Sequence, residues 1–384
     1  MRTNQAIIFF AIVFSIYGLI NFYVIRKILS VIPDNYKNIS LILLIFFALS
    51  YIAGRVLENY WVSYLSDFLI WCGSFWIAVM FYSFFFIIVI DLLRLINHFL
   101  PFFPDIPNKN LINVKNFIAI SGAVLIFIII AGGYLTTKII NVRHYEIFIN
   151  KKAGNLNSLN IVMASDLHLG TINGQKFAYK IVDKINKLKP DLILFAGDII
   201  DEDIKPVLKD NVGKALYELK AKYGIYGITG NHEYIGGVKE AVNYLNAHNI
   251  KMLQDTAILI NNSFYIIGRE DRSIDRFTGK KRKKLSELVN GIDKSLPIIL
   301  MDHQPFHLEE AEENEIDLQL SGHTHNGQLW PLNYLLKKIY ELPWGYKRKG
   351  NTHYYVSCGA GGWGPPVRLG SVPEIVNIKI HFVE

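Results

Sequence analysis

The sequence predicts a chain of two parts, an all-α bundle of about four transmembrane helices followed by an α/β sandwich domain. Three observations carry this expectation. Four long runs without a charged residue crowd the first third of the chain. Beyond them, short β-branched runs alternate with amphipathic stretches, the signature of strands interleaved with helices. Several of those strand-like runs also end abruptly in polar residues.

A length of 384 residues exceeds one typical domain. Hydrophobic residues make up 51% of it against 19% charged, and the excess is localised. No Asp, Glu, Lys or Arg occurs within residues 4–25, 38–54, 68–90 or 116–137. Each run approaches the roughly 20 residues that carry a helix across about 30 Å of hydrocarbon. A buried core helix explains one such run poorly and four in succession hardly at all. The first run is too long for a cleaved secretory signal, and no small-residue cleavage pattern follows Tyr23. Charges inside a membrane mark ion and substrate pathways, so their absence removes the support for a transporter. Residues 1–137 therefore read as a multi-pass anchor in a lipid bilayer and residues 138–384 as a separate domain.

Up to Thr137 there are 8 Lys and Arg against 5 Asp and Glu, and beyond it 32 against 28. The second part is thus close to neutral, which argues against a nucleic-acid partner whose phosphates it would have to neutralise. Lys280, Lys281, Arg282, Lys283 and Lys284 form one basic run, fitting either a solvated helix start or a surface that meets anionic headgroups. Basic residues flanking the spans balance across the membrane. Because the first helix usually governs orientation, Arg26 and Lys27 direct the second domain to the extracytoplasmic side. Cys72 and Cys358 lie in different parts and supply neither a disulfide nor a metal-binding pair.

In the second part, His144–Asn150 alternates as an opening strand and Leu159–Ala164 reads as a buried one. Phe177–Leu188 follows at helical spacing. Leu192–Ala196 and Tyr226–Thr229 are strands, and Val238–His248 is a helix. Phe264–Ile267, Pro297–Met301, Leu318–Leu320, Tyr354–Val356 and Ile375–Phe382 complete the strands. Neither an internal repeat nor a low-complexity segment is present.

The polar strand ends are the informative feature: IVMASDLH, ILFAGD, YGITGNHE, IILMDH and LQLSGHTH. In open α/β sheets, ligands gather where strands end and loops leave them. Taken in order, these ends present Asp166 and His168, Asp198, Asn231 and His232, His303, then His323 and His325. Carboxylate, imidazole and amide together, without a thiolate, suit divalent ions such as Mn, Fe or Zn. The set is large enough for two ions sharing one carboxylate.

Asp166-Leu167-His168, Gly197-Asp198, Gly230-Asn231-His232-Glu233, His303 and Gly322-His323-Thr324-His325 resemble, in order and strand context, the calcineurin-like metallophosphoesterase family. The likeness covers roughly residues 145–384. The stretch from Gly322 through Gln328, Pro331 and Arg368 is similar to its bacterial, membrane-associated phosphodiesterase branch. A single one of these motifs is weak, whereas five in order are specific. The resemblance implies a four-layer α/β/β/α sandwich and two divalent ions. It assigns Asp166, His168, His325 and the bridging Asp198 to one ion, and Asp198, Asn231, His303 and His323 to the other. It gives His232 a role over the phosphoryl oxygens, Asp201 the orienting of that imidazole, and Arg368 a grip on substrate phosphate.

The chemistry agrees with that assignment. Two cations about 3.5–4 Å apart offset the charge of a phosphoester and lower the pKa of a water from 15.7 to roughly 7, giving a hydroxide that attacks phosphorus. His232 meets the charge that then grows on the leaving oxygen. The expected activity is hydrolysis of a phosphodiester or pyrophosphate bond, in a lipid or another membrane-proximal substrate. Two alternatives stand beside it: a nuclease of the same family, and a membrane sensor that binds a phospholigand without turnover. Gly359–Gly362 fits a turn or a backbone cradle for substrate, and Trp330, Trp344 and Trp363 fit either a lipid-facing rim or core packing.

Overall fold

The computed structural model describes residues 3–103 and 108–383. They form two compact units, a helical one of residues up to Leu135 with Gly364–Val367, and a mixed α/β one of Thr136–Trp363 and the residues from Arg368.

The helical unit holds α1 (Thr3–Leu29), α2 (Asp34–Tyr60), α3 (Tyr64–Phe99) and α4 (Asn108–Thr137). All four are long and apolar enough to span a membrane. Each helix outruns its uncharged segment, because backbone hydrogen bonding does not stop at a charge. Residues such as Asp91 and Arg94 of α3 lie past the apolar run and pair at its end, Asp91 with Lys27 of α1. Within the apolar zone the polar groups bond across helices: Trp76 Nε1 donates to Asn21 Oδ1 at 2.8 Å, and Tyr17 Oη to the Ala48 carbonyl at 2.7 Å. Such bonds and small residues at crossings hold helices together where no hydrophobic drive exists between them. At Gly73 a Cβ would collide with the backbone of Tyr51, so α2 and α3 pass at that glycine.

The second unit contains two six-stranded sheets. One has the order β1 (Asn141–Ile149), β12 (Glu374–Phe382), β2 (Ser158–Ala164), β3 (Leu192–Ala196), β4 (Ile225–Ile228), β5 (Lys251–Met252). The other runs β10 (Gly345–Lys349), β11 (Thr352–Val356), β9 (Leu318–Ser321), β8 (Ile298–Met301), β7 (Phe264–Gly268), β6 (Thr256–Ile260). Alternation at period two distributes each strand between two cores. Ile161 and Met163 point between the sheets, against Phe264, Ile299 and Leu320. Val162 and Ala164 point outward, onto Ala178, Ile181 and Ile185 of α5 (Gln175–Lys187) and Leu245. The second sheet buries Ile298 and Leu300 outward, beneath Leu285, Leu288 and Ala311. Four layers, α/β/β/α, result, as the resemblance implies.

Five short helices flank the loops: α6 (Lys205–Lys209), α7 (Asn231–Gly236), α9 (Ile274–Thr278), α10 (Leu285–Leu288) and α11 (Glu309–Glu313). Two longer ones are α8 (Val238–Ala247) and α12 (Leu332–Ile339). The strand pattern of the sequence does not reveal β5, β6 and β10. β5 has only two residues, β10 carries three charges, and β6, though apolar, is a short sheet-edge strand. The basic run at 280–284 is partly turned inward: Arg282 pairs with buried Asp302 at 2.8 Å, and the Lys283 amide donates to Asp255.

What this topology does for function is directional. β2, β3 and β4 run parallel, as do β7, β8 and β9. In each sheet the polar strand ends therefore emerge at one edge.

Candidate metal centre

β2 stops at Ala164 and delivers Asp166 and His168, while β3 delivers Asp198 and β4 delivers Asn231 and His232. From the second sheet, β8 delivers His303 and β9 delivers His323 and His325. The chain turns sharply at these points. Asp166, His168, Asp198, His323 and His325 all adopt positive φ, between 46° and 73°. That left-handed backbone costs about 1–2 kcal/mol for each non-glycine residue and gathers where a site over-determines it. The Gly322 position faces the Asp166 carboxylate so closely that any Cβ would strike it.

The side chains converge in overlapping groups. Asp166, His168 and His325 present ligand atoms within 4.8 Å of one another, and so do Asp198, His303 and His323. In the first group His168 Nε2 and His325 Nε2 lie 3.1 Å apart, with Asp166 Oδ1 at 3.5 Å from the latter. In the second, Asp198 Oδ2 is 3.1 Å from His303 Nε2, and Asn231 Oδ1 is 2.8 Å from His323 Nδ1. The same Asp198 oxygen lies 4.0 Å from His168 Nε2, so it faces both groups. A third combination, His168, Asp198 and His232, also falls within 4.8 Å.

Three observations fit this arrangement to cations. Asp166 and Asp198 are buried, and among the described residues their ionic neighbours are histidines, never Lys or Arg. An unpaired buried carboxylate costs several kcal/mol. His303 Nδ1 lies 2.7 Å from the Ala196 carbonyl, which only accepts, so Nδ1 carries a proton and Nε2 is the nitrogen turned to the site. That buried Nε2 has no hydrogen-bond partner and points at Asp198. The donor set of carboxylate, imidazole and amide oxygen is the one divalent transition ions take.

The electrostatics follow from the same closeness. Burial alone raises both carboxyls. At Asp198 the charges of His303 and His232 outweigh it and hold the group well below the usual range, while Asp166 stays raised. Burial, then the charge of His303, lowers His323 to about 3, leaving a neutral imidazole with a free lone pair. His232 behaves oppositely. Burial opposes its charge, but Asp198 and then Asp201 outweigh it and lift the imidazole to about 9. His232 Nδ1 stands 3.2 Å from Asp201 Oδ1, and its backbone amide donates to Asp198 Oδ1.

Arg368 departs from expectation. Instead of facing substrate it is wholly buried, and Nη2 donates to the carbonyls of Cys358 and Gly361 at 2.6 and 2.7 Å. The same nitrogen lies 2.9 Å from His325 Nδ1. Arg368 sits behind His325 and fixes its ring. The Gly359–Gly362 segment likewise spends its amides internally, Ala360 on the Ser165 carbonyl and Gly361 on that of Asp166.

Other residues escape sequence reasoning although they build the site. Glu233 accepts from the amides of Asp198, Ile200 and Gly230 at 2.7–3.2 Å, stapling the ends of β3 and β4. Asn173 Nδ2 donates to the carbonyls of Leu167, His168 and Gly362. The GNHE motif contains Glu233, so its position is visible in the sequence, but not its three partners. The Trp363 ring stands 5.9 Å from that of His232, and the Tyr340 ring 6.4 Å from that of His323.

Comparison with known proteins points to one family. Residues 159–327 match the family model described as calcineurin-like phosphoesterase. An uncharacterized metallophosphoesterase of Helicobacter pylori is 33% identical over 228 residues, 58% of this chain and 60% of that protein. An uncharacterized metallophosphoesterase of Aquifex aeolicus is 32% identical over 252 residues, covering 65% of this chain and 95% of that protein. A protein of Danio rerio named transmembrane protein with metallophosphoesterase domain is 32% identical over 254 residues, 61% of this chain and 56% of that one. The chain thus spans little more than half the length of several of these relatives and nearly all of the Aquifex protein. With the family's motifs on adjoining strand ends and near-complete coverage of one such relative, the chain belongs to the calcineurin-like phosphoesterase family, as a membrane protein.

Proposed function

We propose that the protein is a binuclear metal-dependent hydrolase of a phosphodiester or pyrophosphate bond in a lipid or other membrane-proximal substrate. The observation that carries this reading is the pair of buried carboxylates, Asp166 and Asp198, whose only close ionic neighbours among the described residues are imidazoles. Asp166, His168, His325 and Asp198 would hold one ion, and Asp198, Asn231, His303 and His323 the other. When bound, such a pair supplies an activated water and offsets phosphoryl charge. The chain's own residues do the rest. His232, held by Asp201, would give its proton to the leaving oxygen.

A substrate anion needs a cation at the rim, and Arg272 suits that role where Arg368 does not. Its Nη1 is buried and has no hydrogen-bond partner among the described residues. The guanidinium lies over the Phe306 ring at 5.1 Å, and that ring adjoins Tyr340, beside His323. Losing a charged hydrogen bond costs about 1.5–3 kcal/mol. Arg272→Ala is accordingly expected to raise KM at least about tenfold, with little change in kcat or melting temperature. Arg368→Ala should instead lower the melting temperature, because it strands the carbonyls that the guanidinium now satisfies. Steady-state kinetics and thermal unfolding of both variants separate the two roles.

Near-neutral charge in the second unit supports a substrate other than nucleic acid. Arg26 and Lys27, after the first span, support an extracytoplasmic catalytic unit. Mn²⁺-loaded full chain should bind two ions and hydrolyse bis-p-nitrophenyl phosphate, read by metal analysis and absorbance. One ion per chain would overturn the binuclear reading, and a folded, loaded protein without turnover would overturn the enzymatic one.

A further inference from the structure

Helix α12 breaks the rule by which amphipathic helices hide their apolar face. Around it, Leu332, Leu335, Leu336 and Ile339 share one side, while Asn333, Lys337 and Lys338 lie off it. None of its residues is buried, and Leu335 and Ile339, one turn apart, are 54% and 51% exposed. Trp330, just before the helix, is 51% exposed and Trp363 47%. Both tryptophans hang on one segment: the Trp363 amide bonds to Gln328, and the Trp330 amide to Leu369 beside it. The apolar rim extends to the metal centre, since α12 runs into Tyr340 beside His323, and Trp363 borders His232.

We propose that α12, with Trp330 and Trp363, is an interfacial platform that rests in the lipid headgroup region. Two features favour a bilayer over a protein partner. α4, long and apolar enough to span a membrane, ends at Thr137 and β1 begins at Asn141, so three residues tether this domain to its own membrane anchor. Lys337 and Lys338 are exposed and form no ion pair among the described residues, leaving two cations for anionic headgroups. Tryptophan and tyrosine are the side chains such interfaces select. The consequence, which rests on the phosphoesterase reading, is that an amphiphilic phosphoester reaches the ligands from the bilayer with its acyl chains still in lipid.

The test uses the full chain with Cys72→Ser, reconstituted in nanodiscs containing phosphatidylglycerol. An environment-sensitive fluorophore is attached through Leu335→Cys or, as a control on exposed α6, through Leu208→Cys; Cys358 is buried and stays unlabelled. Insertion about 5–10 Å deep predicts a blue-shifted label at position 335 that doxyl-lipid quenches, and an unquenched label at position 208. A label at position 335 that emits as in water overturns the platform. One shielded from water yet unquenched overturns it too, in favour of a second copy of the chain. Turnover of bis-p-nitrophenyl phosphate by the same discs reports on the catalytic reading separately. Turnover with a water-exposed label sinks the platform alone, and a quenched label without turnover sinks the hydrolase alone.

Discussion

Asp198→Ala is expected to reduce phosphodiester turnover by at least about 10³-fold, beyond the roughly 10–100-fold that follows loss of a residue supporting a metal ligand. The reason is geometric. One Asp198 oxygen faces His303 at 3.1 Å and His168 at 4.0 Å, so its removal takes the shared anion from both ligand groups at once. The other oxygen accepts the His232 amide, which positions the imidazole. Asp198→Asn separates charge from shape, since the amide keeps one oxygen but carries no charge. Both variants should lose bound metal as well as turnover, with Asp198→Asn the more stable fold. The measurements are turnover of bis-p-nitrophenyl phosphate, metal per chain and thermal unfolding. A folded Asp198→Ala protein as active as the parent would remove the basis for the enzymatic reading.

His232→Ala should lower kcat by about 10²–10³-fold, within the range that general-acid catalysis supplies, while leaving metal content intact. This outcome discriminates between two arrangements that the distances alone permit, because His232 also approaches Asp198 and His168 closely enough to ligate. A ligand would take metal away with it. A proton donor would not, and its loss would depend on the leaving group. Esters of p-nitrophenol, a good leaving group, should suffer least, and alkyl phosphodiesters most. A uniform loss across leaving groups, with metal lost in parallel, would make His232 a ligand and leave the donor unidentified.

The metal centre is legible in the sequence because an apolar β-strand that stops at Asp, Asn or His puts a costly polar group at the border of the core. Five strand ends of that kind, on strands that run parallel within each sheet, emerge at one edge, where cations would offset the cost. Membrane spans are legible for a similar reason, the absence of charge over a bilayer's width. Arg368 is not, because an arginine in a glycine-rich tail looks the same whether it faces solvent or packs behind a histidine. Its burial is decided by Cys358, Gly359 and Gly361 closing around it, a tertiary fact. Glu233 shows the complementary limit. Its place in the motif is plain, but its acceptor role depends on three amides from two loops brought together only by folding. Only the fold reveals that the apolar stripe of α12 stays uncovered.

The strand order has a consequence for biosynthesis. β1, the first strand after the anchor, pairs along all nine residues with β12 and with no earlier strand. β1 therefore gains its partner only when the residues from Glu374 onward have been made. β12 also covers the flank of β2. Without β12 the facing edges of β1 and β2 would stay open, and open strand edges invite aggregation.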